Sequence, residues 1–444
     1  MPTPELNSLL TQLLLLRPAF TRPSFLRFLP LFAGWVLCTS THAVTESLVA
    51  SGVSGRRHHA AFHRFFSRAR WSLDELGRLL LVPLAAMTRG PLRLVLDDTL
   101  CHHKGPKVFG LGCHLDAVRS TRKVRHFSFG HVWVTLAVLV RVPFTSRDWA
   151  LPILFRLYRT QTDNLAQGCP HQKKTQLARQ LVEKVLHWLP TTTVELVADG
   201  LYSCSTLVKG LPQRLVFIGS MRPDAMLSRP RTRTCRSPKT GRLLTRDVLV
   251  PKPERLFRDD SVPWHSVVAC LYGLEKTLEY KEVVARWASV AGKCLLKIII
   301  VKTDSDTLPF RVFFCTDPHR TARQVIENYA GRWAIEVLFR DLKQLLGFAA
   351  SRARTQQAVL RTAPWVGVCY SLLVLWYVQL NAALPHLGLP KRPWYRTKHT
   401  VSFADILRLA QRTLAPADWG NPRALLAHVQ PSIFAAPYDE AMAA

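Results

Sequence analysis

Four side chains in the last third of the chain, Tyr329, Arg332, Glu336 and Lys343, follow one another at gaps of two, three and six residues. On a helix turning about 100° per residue, Arg332, Glu336 and Lys343 fall within roughly 60° of one another, with Tyr329 flanking them. One face would then carry a phenol, a guanidinium, a carboxylate and an ammonium. The stripe of Ile335, Val337, Leu338, Leu342 and Leu345 would hold such a helix on a core. Taken alone, these residues make an ordinary amphipathic helix with i to i+4 ion pairs, Arg332 with Glu336 for instance. Two further acids change that reading. Asp97 ends the strand-like run Leu92-Arg93-Leu94-Val95-Leu96, and Asp199 ends the run 194–198. The carboxyl ends of strands in α/β sheets are where ligands and metals collect, although an isolated strand-ending Asp more commonly makes a turn.

Three carboxylates suit phosphodiester chemistry. They can share two divalent ions about 3.5 to 4 Å apart, which stabilise both the attacking and the leaving oxygen of an in-line displacement. The hard oxygen donors call for Mg2+ or Mn2+. Arg332 and Lys343 could then grip neighbouring phosphates, Arg as a fork and Lys as a point charge. Tyr329 could donate to a phosphate oxygen, and Trp333 or Trp264 could stack on an unpaired base, against the more ordinary role of tryptophan in a core. The charge balance agrees, with 60 Lys and Arg against 30 Asp and Glu, which points to a polyanionic partner without naming a reaction.

The elements that must position these groups follow from the pattern along 444 residues, too many for one ordinary domain. Residues 1–88 read as an N-terminal helical DNA-binding region, with patterns broken by Pro18, Pro23 and Pro30 and a basic amphipathic run over 55–71. In that run Phe62, Phe65 and Phe66 share one face and Arg57, Arg64 and Arg68 another, so it can pack and also touch phosphates; a merely solvated basic face is an equal reading. Residues 89–220 read as the first part of an α/β core, with strands at 92–96, 131–140 and 194–198 and a helix over 170–190. Residues 221–318 read as a β-rich insertion with a basic arm, since 222–258 carry 11 Lys or Arg against three acids. Strands are expected at 267–272, 295–302 and 310–315. The last part of the core is 319–384, with one helix from Thr321 through Leu346 capped at Gly347, and 385–444 is a C-terminal tail with a helix over 402–414 and a basic turn at 391–394.

Several classes are set aside. The ten cysteines contain no Cys-x-x-Cys pair, which disfavours a disulfide framework and fits a reducing compartment. Cys101, His102, His103, Cys113 and His114 are adjacent pairs and not ligands one turn apart, so they read as polar loop residues, not a zinc site. The apolar run 26–42 lacks the basic start of a signal peptide. The uncharged run 363–384 is long enough to span a bilayer, yet Ser371, Gln379 and Asn381 interrupt it and a buried helix is the better reading, so no membrane partner is expected.

The signature Tyr329-x2-Arg332-x3-Glu336-x6-Lys343 resembles, without a gap, that of the insertion-sequence DDE transposases. Leu96-Asp97-Asp98-Thr99 looks like the first motif of a subgroup with Asp-Asp-Thr there, and Val197-Ala198-Asp199-Gly200-Leu201-Tyr202 looks like the second Asp motif. Gly130-His131-Val132-Trp133 and Pro393-Trp394-Tyr395 with Ser402-Phe403-Ala404-Asp405 extend the similarity over about residues 30–415. The resemblance implies a ribonuclease H-like catalytic core with a β-rich insertion between Asp199 and Glu336. It implies metal-dependent cutting of element ends and transfer of the freed 3′ hydroxyl into target DNA. Asp97, Asp199 and Glu336 would be the catalytic and metal-binding acids, with Asp98 the alternative for the first. The resemblance implies two such ions; the partners implied are double-stranded DNA, as terminal inverted repeats and target, and a second copy of the chain, in a bacterial cytoplasm at the nucleoid. The rival reading is a transposase-derived protein that binds specific DNA and has lost catalysis.

Overall fold

The computed structural model describes residues 3–88, 90–105, 107–121, 123–231, 247–384, 394, 398, 400–427 and 429. The chain divides into two compact units, each assembled from separated stretches. The first comprises Met1–Arg89, Asp98–Leu177 and Ala334–Ala444, the second Gly90–Asp97 and Ala178–Trp333. Most of the expected basic arm, 232–246, and most of the basic turn at 391–394 lie outside the described residues.

In the first unit the strands are β1 (Leu92–His102, of which it takes the C-terminal half), β2 (Gly112–Leu115), β3 (Phe127–Arg141) and β4 (Asp148–Tyr158). β2 and β4 both pair antiparallel with β3, which also neighbours β1. β3 is longer than the expected 131–140 because its first residues, Phe127 to Phe129, alternate at the surface with no continuous apolar run to mark them. Four of the five cysteines and histidines expected in loops are strand residues: Cys101 and His102 end β1, and Cys113 and His114 lie in β2, while His103 follows β1 in a loop.

The helix Gln356–Ala383 is the axis of this unit. The most apolar stretch of its 28 residues is 89% buried within the protein, as a core helix requires. Ser371 Oγ donates to Pro152 O of β4 at 2.9 Å, and Gly367 lies so close to Phe155 that a Cβ there would approach its ring to 2.3 Å. Among the described residues five α-helices precede β1, Pro4–Leu14, Arg22–Leu37, Val44–Ala50, Ala60–Ser67 and Leu73–Ala86, with a short 3-10 turn at Arg17–Ala19. Pro30 sits inside the second of them and does not end it. Phe28, Phe65, Phe66 and Trp71 surround Trp365, each with ring centroids 5.2 to 6.5 Å from it and steeply inclined. Arg361 is buried one turn away, and its guanidinium donates to the carbonyls of Phe66, Ala69 and Trp71. The basic helix is shorter than the run over 55–71, covering only Ala60–Ser67, but its faces are as expected: Phe62, Phe65 and Phe66 are buried, whereas Arg57, Arg64 and Arg68 are exposed.

In the second unit the N-terminal half of β1 pairs in parallel with β5 (Val194–Ala198), and β5 in parallel with β6 (Leu215–Ser220). Antiparallel strands continue the sheet. β12 (Phe310–Cys315) pairs with β6 and β11 (Leu295–Lys302), and β11 with β10 (Leu274–Arg286). β10 carries β9 (His265–Leu271) and β7 (Leu227–Arg229), and β7 pairs with β8 (Val248–Val250). The helix Ala322–Gly331 covers this sheet, placing Val325 and Ile326 in one core with Val197, Ile218, Ile299 and Phe313. A full capping box at Thr321 and Gln324 starts it.

Candidate active site

The register of β1 against β5 decides which acids share a face. Leu92 pairs with Val194, and the pairing runs row by row to Leu96 with Ala198. Asp97 and Asp199 directly follow that last paired row, Asp97 within β1 and Asp199 just past the end of β5. Side chains alternate along a strand, and Val197 faces the helix Ala322–Gly331. Val95, paired with Val197, faces the same way, and so does Asp97 two residues on. Asp98 therefore faces the opposite side, where in the first unit Lys174 meets its carboxylate at 2.6 Å.

The turn after β5 fixes Asp199. Its Oδ1 accepts the Leu201 N–H at 3.0 Å, so the turn-forming role of a strand-ending Asp is present here. Ser203 Oγ donates to the Asp199 carbonyl at 3.3 Å. Room for that serine exists because residue 219 of β6 is glycine: a Cβ there would lie 2.5 Å from Ser203 Oγ.

Arg332 ends the helix Ala322–Gly331 and reaches Asp97, Nη1 to Oδ2, at 2.9 Å, with both side chains 17% exposed. Tyr329 braces it from one turn earlier. The tyrosine ring stacks obliquely on Phe313, centroids 4.4 Å apart, and the guanidinium carbon lies 6.0 Å from the ring. The single helix expected over 321–346 is in fact two, Ala322–Gly331 and Trp333–Leu345, because the Arg332 N–H bonds back to Tyr329 O, three residues earlier, and interrupts the ladder. The 100° rule is therefore not a guide to Tyr329 and Arg332 relative to the later pair.

Glu336 and Lys343 stand on Trp333–Leu345 within the first unit, seven residues apart and so on one helix face. Glu336 is in the first turn, where a carboxylate complements the helix dipole. Lys343 Nζ donates to Leu100 O of β1 at 2.8 Å. Ile335, Leu338 and Leu342 are buried as expected, joined by Phe339. Gly347 follows at φ +67°, and the Phe348 N–H closes on Leu342 O, which ends this helix where expected.

Trp333 is 48% exposed, and its ring meets the edge of Tyr272 at 6.3 Å. Tyr272 and Gly273 form the two-residue turn between β9 and β10, both at positive φ, an unfavourable setting for tyrosine. Trp264, the alternative stacking residue, is committed elsewhere, with Lys281 Nζ 4.6 Å and Lys302 Nζ 5.7 Å from its ring.

Sequence reasoning missed the support beneath the site. Glu195 of β5 is buried, paired with Arg320, and accepts Asn328 Nδ2 at 3.2 Å, which ties β5 to the helix Ala322–Gly331. The signal was present, since Glu195 precedes Asp199 by four residues, an even spacing that puts both on one strand face.

As a cation site the residues fit in part. Asp97 and Asp199 offer hard oxygen donors, and in this structure the Arg332 guanidinium occupies Asp97. Among the described residues, no group of three or more His, Cys, Asp or Glu is gathered closely enough to hold an ion.

No curated protein is significantly similar in sequence. Among solved structures the chain is similar to the piggyBac transposase synaptic complex with hairpin DNA, determined by cryo-electron microscopy, at 10% identity and a TM-score of 0.45, over 95% of this chain and 79% of that one. The family model described as DDE superfamily endonuclease matches residues 15–285, which include Asp97 and Asp199 and stop short of Glu336. With more than half of its length in that match, the chain belongs to the DDE superfamily endonucleases.

Proposed function

We propose that the chain is a transposase of the insertion-sequence type, with a ribonuclease H-like core, cutting DNA at element ends and joining the freed ends to target DNA. The observation that carries this reading is that Asp97 and Asp199 directly follow the last paired row of β1 and β5, with Arg332 at the end of the covering helix reaching Asp97. Asp97, Asp199 and Glu336 are the acids that would hold Mg2+ or Mn2+, two ions in all, which when bound supply an activated nucleophile and neutralise charge on the leaving oxygen. Arg332 can exchange its carboxylate partner for a phosphate, since both offer a pair of oxygens to the guanidinium fork. Tyr329 supports that guanidinium with its ring, 6.0 Å away. Trp333, exposed beside Tyr272, has a free face suited to a base. Arg57, Arg64 and Arg68 present a second row of cations to double-stranded DNA, and two copies of the chain would act on paired ends.

One observation favours a second reading, a DNA-binding protein without catalysis: Asp97 is already occupied by Arg332. Incubating the chain with DNA carrying its element's ends, with and without Mg2+, separates the two. Cutting that requires the ion, and that falls by at least about a hundredfold in Glu336→Ala while DNA affinity stays within about twofold, is the expected result. A chain that shifts DNA and never nicks it belongs to the second reading.

A further inference from the structure

β2 and β3 form a two-stranded ribbon, and its two faces are unlike. The inward face is built and closed. His114 is buried, and buried Asp116 accepts Ser128 Oγ at 3.1 Å, His102 Nε2 at 2.6 Å and the Arg119 N–H at 3.2 Å. The connecting turn is also ordered: the Thr121 N–H reaches Val124 O, the His126 N–H reaches Ser120 Oγ, and the Asp116 N–H reaches His126 O.

The outward face is apolar and exposed. Cys113 pairs with Phe129 and Leu115 with Phe127, so these four side chains share one side. Leu115 is 50% exposed, Phe127 63% and Phe129 60%, a concentration that costs solubility unless something covers it. Exposed Arg119, Lys123 and Arg125 crowd the turn; Asp116, the only acid between Asp98 and Asp148, is buried beneath and pairs with Arg119, Nε to Oδ2 at 3.7 Å, leaving Lys123 and Arg125 as the rim's remaining cations. A cationic rim around exposed aromatic rings complements a polyanion carrying flat apolar groups, which describes a nucleic acid with an unpaired base.

We propose that this ribbon face is a clamp for one unpaired DNA base, held between Phe127 and Phe129. Residues two apart on a strand stand about 6.6 to 6.8 Å apart on one face, which leaves room for one base about 3.4 Å thick between two rings. Lys123 and Arg125 engage the flanking phosphates. The ribbon is preorganised by Asp116, so little side-chain or loop ordering opposes binding. This inference rests on the reading that the chain acts on DNA, and it adds a surface separate from the carboxylates.

The test uses the full chain, a duplex, and the same duplex with one bulged 2-aminopurine. Wild type should bind the bulged duplex more tightly than the paired one and quench its fluorescence. Phe127→Ala/Phe129→Ala should lose about 10- to 100-fold in affinity for the bulged duplex, with affinity for the paired duplex within about twofold. Phe127→Trp/Phe129→Trp should restore the preference. Unchanged thermal melting verifies that the exposed substitutions leave the fold intact. Equal binding of both probes by wild type, or equal losses on both in the alanine variant, overturns the clamp and leaves the transposase reading standing. A change of sedimenting mass in the alanine variant without a change in base preference makes the face a contact between copies and overturns it too. Failure of wild type to bind either probe sinks both readings.

Discussion

Two arginines, one inside a buried helix and one at a helix end, hold opposite positions in the energetics of the molecule. Arg361 is inside the first unit, on its core helix, and donates to three carbonyls at the corner 66–71 while lying 4.4 Å over the Trp71 ring. Its partners are backbone atoms that cannot leave, and burial pushes its pKa down to about 10. Arg332 is at a helix end in the second unit and holds one carboxylate that is itself part-exposed. A guanidinium tied to fixed carbonyls is a structural strut. One tied to a carboxylate can change partner, because phosphate presents similar oxygens and a metal ion competes for the same acid.

The comparison can be broken by mutation, and the largest effect should come from the strut. Arg361→Ala strands three buried carbonyls and removes the cation over Trp71, so unfolding free energy should fall by about 3 to 5 kcal/mol. Chemical denaturation reads this directly, and a loss below about 1 kcal/mol would mean that the corner repacks easily. Next comes a pH effect in the same unit. His131 is buried, its Nε2 donates to Phe109 O at 2.9 Å, and burial pushes its pKa down to about 4. A histidine whose folded pKa lies below its unfolded value stabilises the fold fully above about pH 6.5 and loses that contribution as pH falls toward 4, by about 3 kcal/mol in all. His42, His103 and His114 shift in the same direction by burial and add to the slope. His131→Gln should flatten the stability profile between pH 6.5 and 4; an unchanged slope would assign it to the other groups. The smallest stability change belongs to Arg332→Ala, about 1 kcal/mol or less. Its DNA binding should instead weaken, with the salt dependence reduced by about one ion, and Mn2+ should bind the DNA-free chain more tightly by electron paramagnetic resonance. If Arg332→Ala unfolds the chain as Arg361→Ala does, the two residues are both struts and the contrast is lost.

The strand-ending acids were legible because an apolar run closed by Asp is a local pattern; the helix over 402–414 was legible from apolar periodicity and the buried run 363–384 from its length, although that helix begins earlier, at Gln356, where polar residues give no such signal. Which side Asp97 faces was not, since one step along a strand reverses it and only pairing with β5 settles the row. The interruption at Arg332 was hardly more visible: Gly331, directly before it, is the one weak helix former there, and a single glycine is tolerated in many helices. Neither was the ribbon readable, because Phe127 and Phe129 look like core aromatics until the sheet leaves that end of β3 uncovered. Pairing between residues distant in the chain carries this information, and composition does not contain it.

The ring nest around Trp365 sets a schedule for biogenesis. Phe28, Phe65, Phe66 and Trp71 leave the ribosome long before their centrepiece, and at about 5 to 20 residues per second the wait is roughly 15 to 60 s. Throughout that interval the nascent N-terminal helices carry an unfilled aromatic socket. Any truncation upstream of residue 365 leaves that socket permanently open, an exposed cluster of four rings.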